Sequence, residues 1–179
     1  MFNKLAHDFY VQPMNRVYIE AIAMFVLWTL AMLILRGKAR RAAAAAGFVF
    51  AVVLIIMFTV FGRKAGVKTE LSLIPFATFE KAKIFPEMYR AMFMNIILFM
   101  PFGLSMPYIL PVRLKRKALV VILSGFALSV IVEALQFVFK IGECETDDVI
   151  MNTLGTVAGV LSYIIVGAIL ALRQRRTKP

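Results

Sequence analysis

The chain has 179 residues, of which 61% are hydrophobic and 17% are charged, and 21 lysines and arginines against 10 acids give it a formal net charge of +11. Soluble domains are about half apolar and a quarter charged, so this composition argues against a soluble enzyme, and the long apolar runs between the charges argue against a nucleic-acid-binding surface. One cysteine and one histidine exclude an intrachain disulfide and a CxxC zinc site.

Five apolar runs are long enough to cross a bilayer, which takes roughly 20 residues in a helix. In chain order they are Val17–Leu35, Ala42–Phe61, Ala91–Leu110, Ala118–Phe139 and Ile150–Leu172. The third run contains Pro101, which removes a backbone donor and predicts a kink. These runs predict an all-α integral membrane helical bundle that forms one domain over residues 1–179.

The segment between the second and third runs contains a shorter apolar stretch. Leu71–Phe76, followed by Phe79, is too short to span a bilayer, and it contains Pro75. This pattern favours an interfacial or re-entrant segment around residues 71–79, and a plain amphipathic connector is the alternative.

Lysine and arginine in the short loops predict the orientation, because these residues collect on the cytoplasmic side. The loops after the first and third runs and the C-terminal tail each carry four basic residues and no acid. The loop after the fourth run carries Lys140 and four acids. We therefore expect a multi-pass membrane protein with its N-terminus outside and its C-terminus in the cytoplasm. Membrane lipids are its expected partners.

With that topology, the polar residues inside the runs fall in the outer leaflet. They are Glu20, Asn95, Glu133, Gln136 and Asn152. Glu133 and Gln136 are three residues apart and share a helix face, and Asp148 and Asn152 are four apart and share another. Charges inside membrane helices usually face a bundle interior or a wet cavity. The sequence therefore predicts one polar pocket that opens outward.

Each of these residues has a functional and a structural interpretation. Glu133 is the candidate acid or base, or it is a carboxylate that fixes helix packing by pairing with Arg90 or Asn152. Asp147, Asp148 and Glu145 are candidate ligands of a divalent cation, or they form a solvated loop whose acids cap the fifth helix. Asn95 and Asn152 either donate to a substrate or bond between helices. The sequence alone leaves open whether the protein is an enzyme.

The chain resembles the VanZ-like membrane proteins in four stretches. These are LSLIPF at 71–76, NIILFMPFG at 95–103, EALQ at 133–136 and ETDDVIMNTLGTVAG at 145–159. Many relatives have an arginine between the third and fourth stretches. Here the only basic residue in that interval is Lys140, so either Lys140 or Arg90 takes the role of the arginine.

This resemblance implies a protein of the bacterial plasma membrane that is associated with resistance to the lipid-tailed glycopeptide teicoplanin. The expected ligand is an amphiphile, such as a lipoglycopeptide or a lipid-linked cell-wall precursor. The resemblance and the polar residues together place substrate binding at Arg90, Asn95, Glu133, Gln136, Asp147, Asp148 and Asn152. Capture of the amphiphile, chemical modification of a lipid or cell-wall precursor, and transport are three alternative functions. No resident cofactor is expected beyond the divalent cation considered above.

Overall fold

The computed structural model describes residues 14–61, 71–85, 87–111, 116–142 and 144–176. The elements in chain order are α1 (Met14–Ile34), α2 (Gly37–Ile56), β1 (Leu71–Ser72), α3 (Ala77–Ile84), α4 (Glu87–Ile109), α5 (Lys117–Phe139), β2 (Cys144–Glu145) and α6 (Thr146–Arg176). A π-helical turn, Met57–Phe61, extends α2. The five helices other than α3 are long and apolar enough to cross a membrane. The predicted all-α membrane bundle is therefore confirmed.

The closest contact in the bundle joins α4 to α6, backbone to backbone. A β-carbon on Gly155 would collide with the carbonyl oxygen of Ile96, and one on Gly159 would collide with that of Met100. From the first pair to the second, the residue number rises by four in both helices, so α4 and α6 run in parallel. The Gly155–Gly159 pair therefore permits close helix packing, and α4 is the helix that it faces.

The helix α4 is continuous from residue 87 to residue 109, with Pro101 and Pro107 inside it. The kink predicted at Pro101 therefore does not divide the third span. Two residues after Pro101, Gly103 brings the backbone of α4 against Thr156 of α6. A proline inside a membrane helix is tolerated where neighbouring helices cover the freed backbone group.

The helix α5 runs antiparallel to α6. Gly125 faces the side chain of Thr156, and one turn further along α5 the Ser129 hydroxyl accepts a hydrogen bond of 2.8 Å from the Asn152 amide. In this register the next turn of α5, which carries Glu133, is level with Asp148. The outer helix α1 runs parallel to α4. Tyr18 packs on Phe93 with ring centroids 5.1 Å apart, and further along both helices Trp28 donates a hydrogen bond of 3.2 Å to Ser105.

Basic residues collect at one end of the bundle as a result of these directions. This basic end carries Lys38, Arg40 and Arg41 of α2, Lys117 of α5, and Arg173, Arg175 and Arg176 of α6. Arg113 and Lys115, which the sequence places in the same group, lie outside the described residues. The opposite end, where α4 and α6 begin, carries the acids of β2 and α6. We call it the acidic end.

Many large apolar side chains face outward along the five long helices. Leu27 on α1 is 65% exposed, Val138 on α5 is 69% exposed and Ile165 on α6 is 57% exposed. Contiguous apolar surface on this scale does not occur on soluble monomers. The helix α6 has 31 residues, which corresponds to about 46 Å at 1.5 Å per residue. It therefore extends past a hydrocarbon core of roughly 30 Å.

The segment of residues 71–85 lies across the acidic end as β1 followed by α3, and we call it the β1–α3 segment. Leu71 pairs with Cys144 and Ser72 pairs with Glu145 in a parallel two-stranded ladder. The apolar side chains of Leu73 and Ile74 are 67% and 72% exposed. As the sequence predicts, the segment does not span the bundle from one end to the other.

We expect Gly159→Ala to destabilise the protein by about 1–3 kcal/mol, the usual cost of overpacking a well-filled interface. The added methyl group would lie 2.6 Å from the amide nitrogen of Leu104 and would push α4 away from α6. Thermal unfolding in detergent micelles measures the change.

Gly167→Ala on the same helix is the matched control, because its β-carbon would meet nothing within 4 Å. Alanine is the better helix former, so this variant should unfold at the wild-type temperature or slightly above it. Equal effects of the two substitutions would contradict the close α4–α6 contact.

Candidate functional site

Buried polar side chains form a layer between α5 and α6 at the acidic end. Its members are Ser129, Glu133 and Gln136 on α5 and Asp148 and Asn152 on α6, each less than 9% exposed. We call this set the polar layer. The predicted clustering of Glu133, Gln136, Asp148 and Asn152 corresponds to this arrangement. Glu20 lies elsewhere, since its side chain is 62% exposed and pairs with Arg16.

Hydrogen bonds within the polar layer cross-link three helices. The Gln136 amide donates to the carbonyl oxygen of Thr59, at the end of α2, over 3.0 Å. The Asn152 amide donates to Ser129, so its partner is a hydroxyl and not the Glu133 carboxylate considered from the sequence. Glu133 accepts a hydrogen bond of 3.1 Å from the backbone amide of Glu145, which ties α5 to β2.

Asp147 points away from the polar layer toward the β1–α3 segment. Its two carboxylate oxygens accept hydrogen bonds from the amides of Phe76, at 2.5 Å, and Thr78, at 2.7 Å. These amides belong to the residue before α3 and to its first turn, where a helix leaves its N–H groups without intrahelical partners. Asp147 therefore caps α3, whereas the sequence interpretation assigned its capping role to the fifth span.

Glu145 holds the same segment from β2. Its carboxylate accepts a hydrogen bond of 3.2 Å from the Thr78 hydroxyl and lies 3.5 Å from the ammonium of Lys81. The Thr146 hydroxyl adds a bond of 3.2 Å to the carbonyl oxygen of Ser72. Among the described residues, no three His, Cys, Asp or Glu side chains converge as a metal site. The cation site at Asp147, Asp148 and Glu145 stays a prediction.

Cys144 lies at the junction of β2 and the polar layer. Burial raises the pKa of its thiol above the ordinary value, and the charges of Glu133, Asp148 and Glu145 raise it further. Burial is the largest of these causes. The three carboxylates are therefore close enough to act on one sulfur atom.

A separate apolar groove opens on the other side of α6. It has a volume of about 400 Å³ and lies between α1, α3, α4 and α6. Its lining side chains are Tyr18, Phe79, Tyr89, Arg90, Met92, Phe93, Ile96 and Met151. Met151 of α6 faces this groove, while the adjacent Asn152 faces the polar layer. The single pocket predicted from the sequence is thus two regions that α6 separates.

The remaining candidate residues are Arg90, Asn95 and Lys140. Arg90 lines the groove. Asn95 is half-buried on α4, next to Ile96, whose carbonyl oxygen faces Gly155. Lys140 is exposed and has a left-handed backbone conformation that ends α5, with φ of 51°. Sequence reasoning did not find the groove, because its residues come from four elements and share no motif.

We expect Asp147→Asn to loosen the β1–α3 segment. An asparagine side chain keeps one acceptor oxygen but turns an amino group toward one of the two backbone amides. Loss of a capping bond costs about 0.5–2 kcal/mol, so amides in residues 71–85 should exchange with deuterium roughly 2- to 30-fold faster. Mass spectrometry of peptides from the intact protein measures the exchange.

Glu80→Gln is the matched control for this measurement, because Glu80 lies on the same helix with a 72% exposed side chain. Its exchange rates should stay close to those of the wild type. Unchanged exchange in Asp147→Asn would mean that the two carboxylate bonds do not hold α3.

We expect Cys144 to react with a maleimide more slowly than free cysteine between pH 7 and pH 9. The thiolate is the reactive form, and a raised pKa leaves less thiolate at each pH. Glu133→Gln removes the largest of the Coulombic contributions, so it should lower the pKa and speed the reaction. Rates measured against pH give the pKa.

Glu20→Gln removes an acid from the exposed surface of α1 and should leave the Cys144 rate unchanged. If Glu133→Gln also left the rate unchanged, the Glu133 carboxylate would not lie near the sulfur.

Comparisons with known proteins agree with this architecture. A family model described as VanZ/LLP1 matches residues 48–167, which include the polar layer, the β1–α3 segment and most of the groove. Protein VanZ of Enterococcus faecium is 39% identical over 79 residues, which are 42% of this chain and 45% of that protein. The match thus covers less than half of that relative's length. No solved structure matches the chain. The chain belongs to the VanZ/LLP1 family.

Proposed function

We propose that the protein binds an amphiphilic molecule of the cell envelope at the acidic end of its bundle and so alters the response to lipid-tailed glycopeptides of the teicoplanin type. The observation that carries this proposal is the groove. Its walls are almost entirely aromatic rings, methionine side chains and Ile96, and methionine-lined surfaces adapt to ligands of varied shape.

The position of the groove supports binding of an acyl tail. Its volume of about 400 Å³ falls within the range of roughly 300–1,000 Å³ found for small-molecule sites. It lies between helices that face lipid, so a tail can enter sideways from the bilayer. Phe93 is 41% exposed and forms part of the wall. The head of the amphiphile would then lie beside the β1–α3 segment.

Orientation is part of this proposal. The basic end would face the cytoplasm by the positive-inside rule, which places the N-terminus and the groove outside and the C-terminus inside. The labelling of Cys144 reports this orientation in intact cells. Reaction with a membrane-impermeant maleimide supports it, and reaction only after permeabilisation opposes it.

A second candidate function is enzymatic modification of a lipid or cell-wall precursor. The observation that favours it is that two buried acids lie at the same height on neighbouring helices. Glu133 on α5 is 3% exposed and Asp148 on α6 is 6% exposed. Paired buried carboxylates are a common source of acid and base groups. Asp147 suits this role less well, because both of its oxygens already accept backbone hydrogen bonds.

We expect expression of the protein to protect a sensitive bacterial host against a lipid-tailed glycopeptide and not against a tailless one. Phe93→Ala should remove most of this protection, because it deletes a wall of the groove. Minimum inhibitory concentrations of both compounds measure the effect, with protein levels in the membrane checked by immunoblotting.

Phe126→Ala is the matched control, since Phe126 is an exposed ring of α5 outside the groove. It should protect like the wild type. Mass analysis of the recovered drug and lipids separates the two functions, because binding leaves them intact and catalysis changes a mass. Equal or absent protection against both compounds would overturn the proposal.

A further inference from the structure

One charged side chain stands out in the otherwise apolar groove. Among the described residues that line it, Arg90 is the only charged one. It lies in the first turn of α4, where the helix dipole adds a partial positive charge. The acids of the polar layer lie on a different face of α6, so they do not line the groove.

We infer that the amphiphile bound in the groove is an anionic lipid of the bilayer, with its chain on the aromatic and methionine walls and its phosphate at Arg90. This inference rests on the proposed function and names the chemical class of its ligand. A guanidinium has five donors in a planar fork that fits phosphate. Arg90 can therefore hold a protein partner and a phosphate oxygen together.

The depth of the groove agrees with a phosphate at this position. Tyr18 and Tyr89 flank Arg90 in the lining, and tyrosines collect at the level of the lipid headgroups. Tyr89 is 44% exposed, so this edge of the groove is open. A lipid whose chain enters between α1 and α4 would carry its phosphate at the height of the guanidinium.

Neighbouring cations do not offer the same site. Lys81 pairs with Glu145 and Lys83 pairs with Glu80. Arg16, which lies on α1 at the acidic end of the bundle, pairs with Glu20. The side chains of Lys81, Lys83 and Arg16 are 44%, 63% and 69% exposed, whereas Arg90 is half-buried against an apolar wall. Charge-assisted hydrogen bonds are stronger where water is partly excluded.

The test is lipid retention by the purified full-length protein, measured by native mass spectrometry in detergent. Three probes with identical acyl chains are supplied separately: phosphatidylglycerol, neutral diacylglycerol and a cationic dialkyl trimethylammonium lipid. We expect the wild type to retain phosphatidylglycerol about tenfold more tightly than diacylglycerol, which is the low end for a charge-assisted hydrogen bond. The cationic lipid should bind most weakly.

The variants assign this selectivity to one residue. Arg90→Gln should bring phosphatidylglycerol down to the level of diacylglycerol without changing diacylglycerol retention, and Arg90→Lys should keep part of the preference. Arg16→Gln removes a guanidinium from the same end of the bundle and should behave as the wild type. If Arg90→Gln does not fold, the wild-type order of the three lipids and Arg90→Lys still decide.

The possible failures are distinguishable. Equal retention of the anionic and neutral lipids by the wild type would overturn the inference and leave the groove as a tail site. Selectivity that survives in Arg90→Gln or is lost in Arg16→Gln would also overturn it. Retention of none of the three lipids would overturn the inference together with the proposed tail site.

Discussion

The contact between α4 and α6 sets the geometry of everything else at the acidic end. Inside a bilayer, lipid tails are as apolar as leucine, so helices associate through close packing and hydrogen bonds instead of the hydrophobic effect. Gly103, Gly155 and Gly159 permit this packing by leaving no β-carbons between the two backbones. Because the helices run in parallel, their first turns lie at one end. The groove then forms beside that contact, where α1 and α3 complete the walls.

The helix α6 separates two chemical environments by the position of adjacent residues. Asp148 and Asn152 face α5, where Asn152 donates a hydrogen bond to Ser129. Among the described residues, the amide oxygens of Asn152 and Gln136 have no hydrogen-bond partner. Met151 and Gly155 face the α4 side, where there is apolar surface and close backbone contact. Burial of polar groups is costly. Because the polar side chains of α6 are confined to its interface with α5, the side that faces α4 is left free for an apolar ligand. Binding in the groove therefore does not require desolvation of the acids.

The sequence predicts the individual helices of this fold well, but it does not predict which residues of different elements contact one another. Apolar runs identify the five spans because a bilayer imposes length and hydropathy on each helix separately. Spacing also identifies Glu133 with Gln136 and Asp148 with Asn152, since a shared helix face is a local property. The partner of Asp147 is about seventy residues earlier in the chain, in α3. No local pattern indicates which helix a carboxylate caps, so only the tertiary arrangement reveals it.

Asp147 connects α6 to the wall of the groove through α3. It belongs to the first turn of α6, and it holds the amide of Thr78 in α3. Phe79, which follows Thr78, is part of the groove wall and packs on Tyr89 with ring centroids 6.5 Å apart. Glu145 connects to the same turn of α3 and, through its backbone amide, to Glu133 in the polar layer. The turn of α3 that precedes Phe79 is therefore held by acids of β2 and α6.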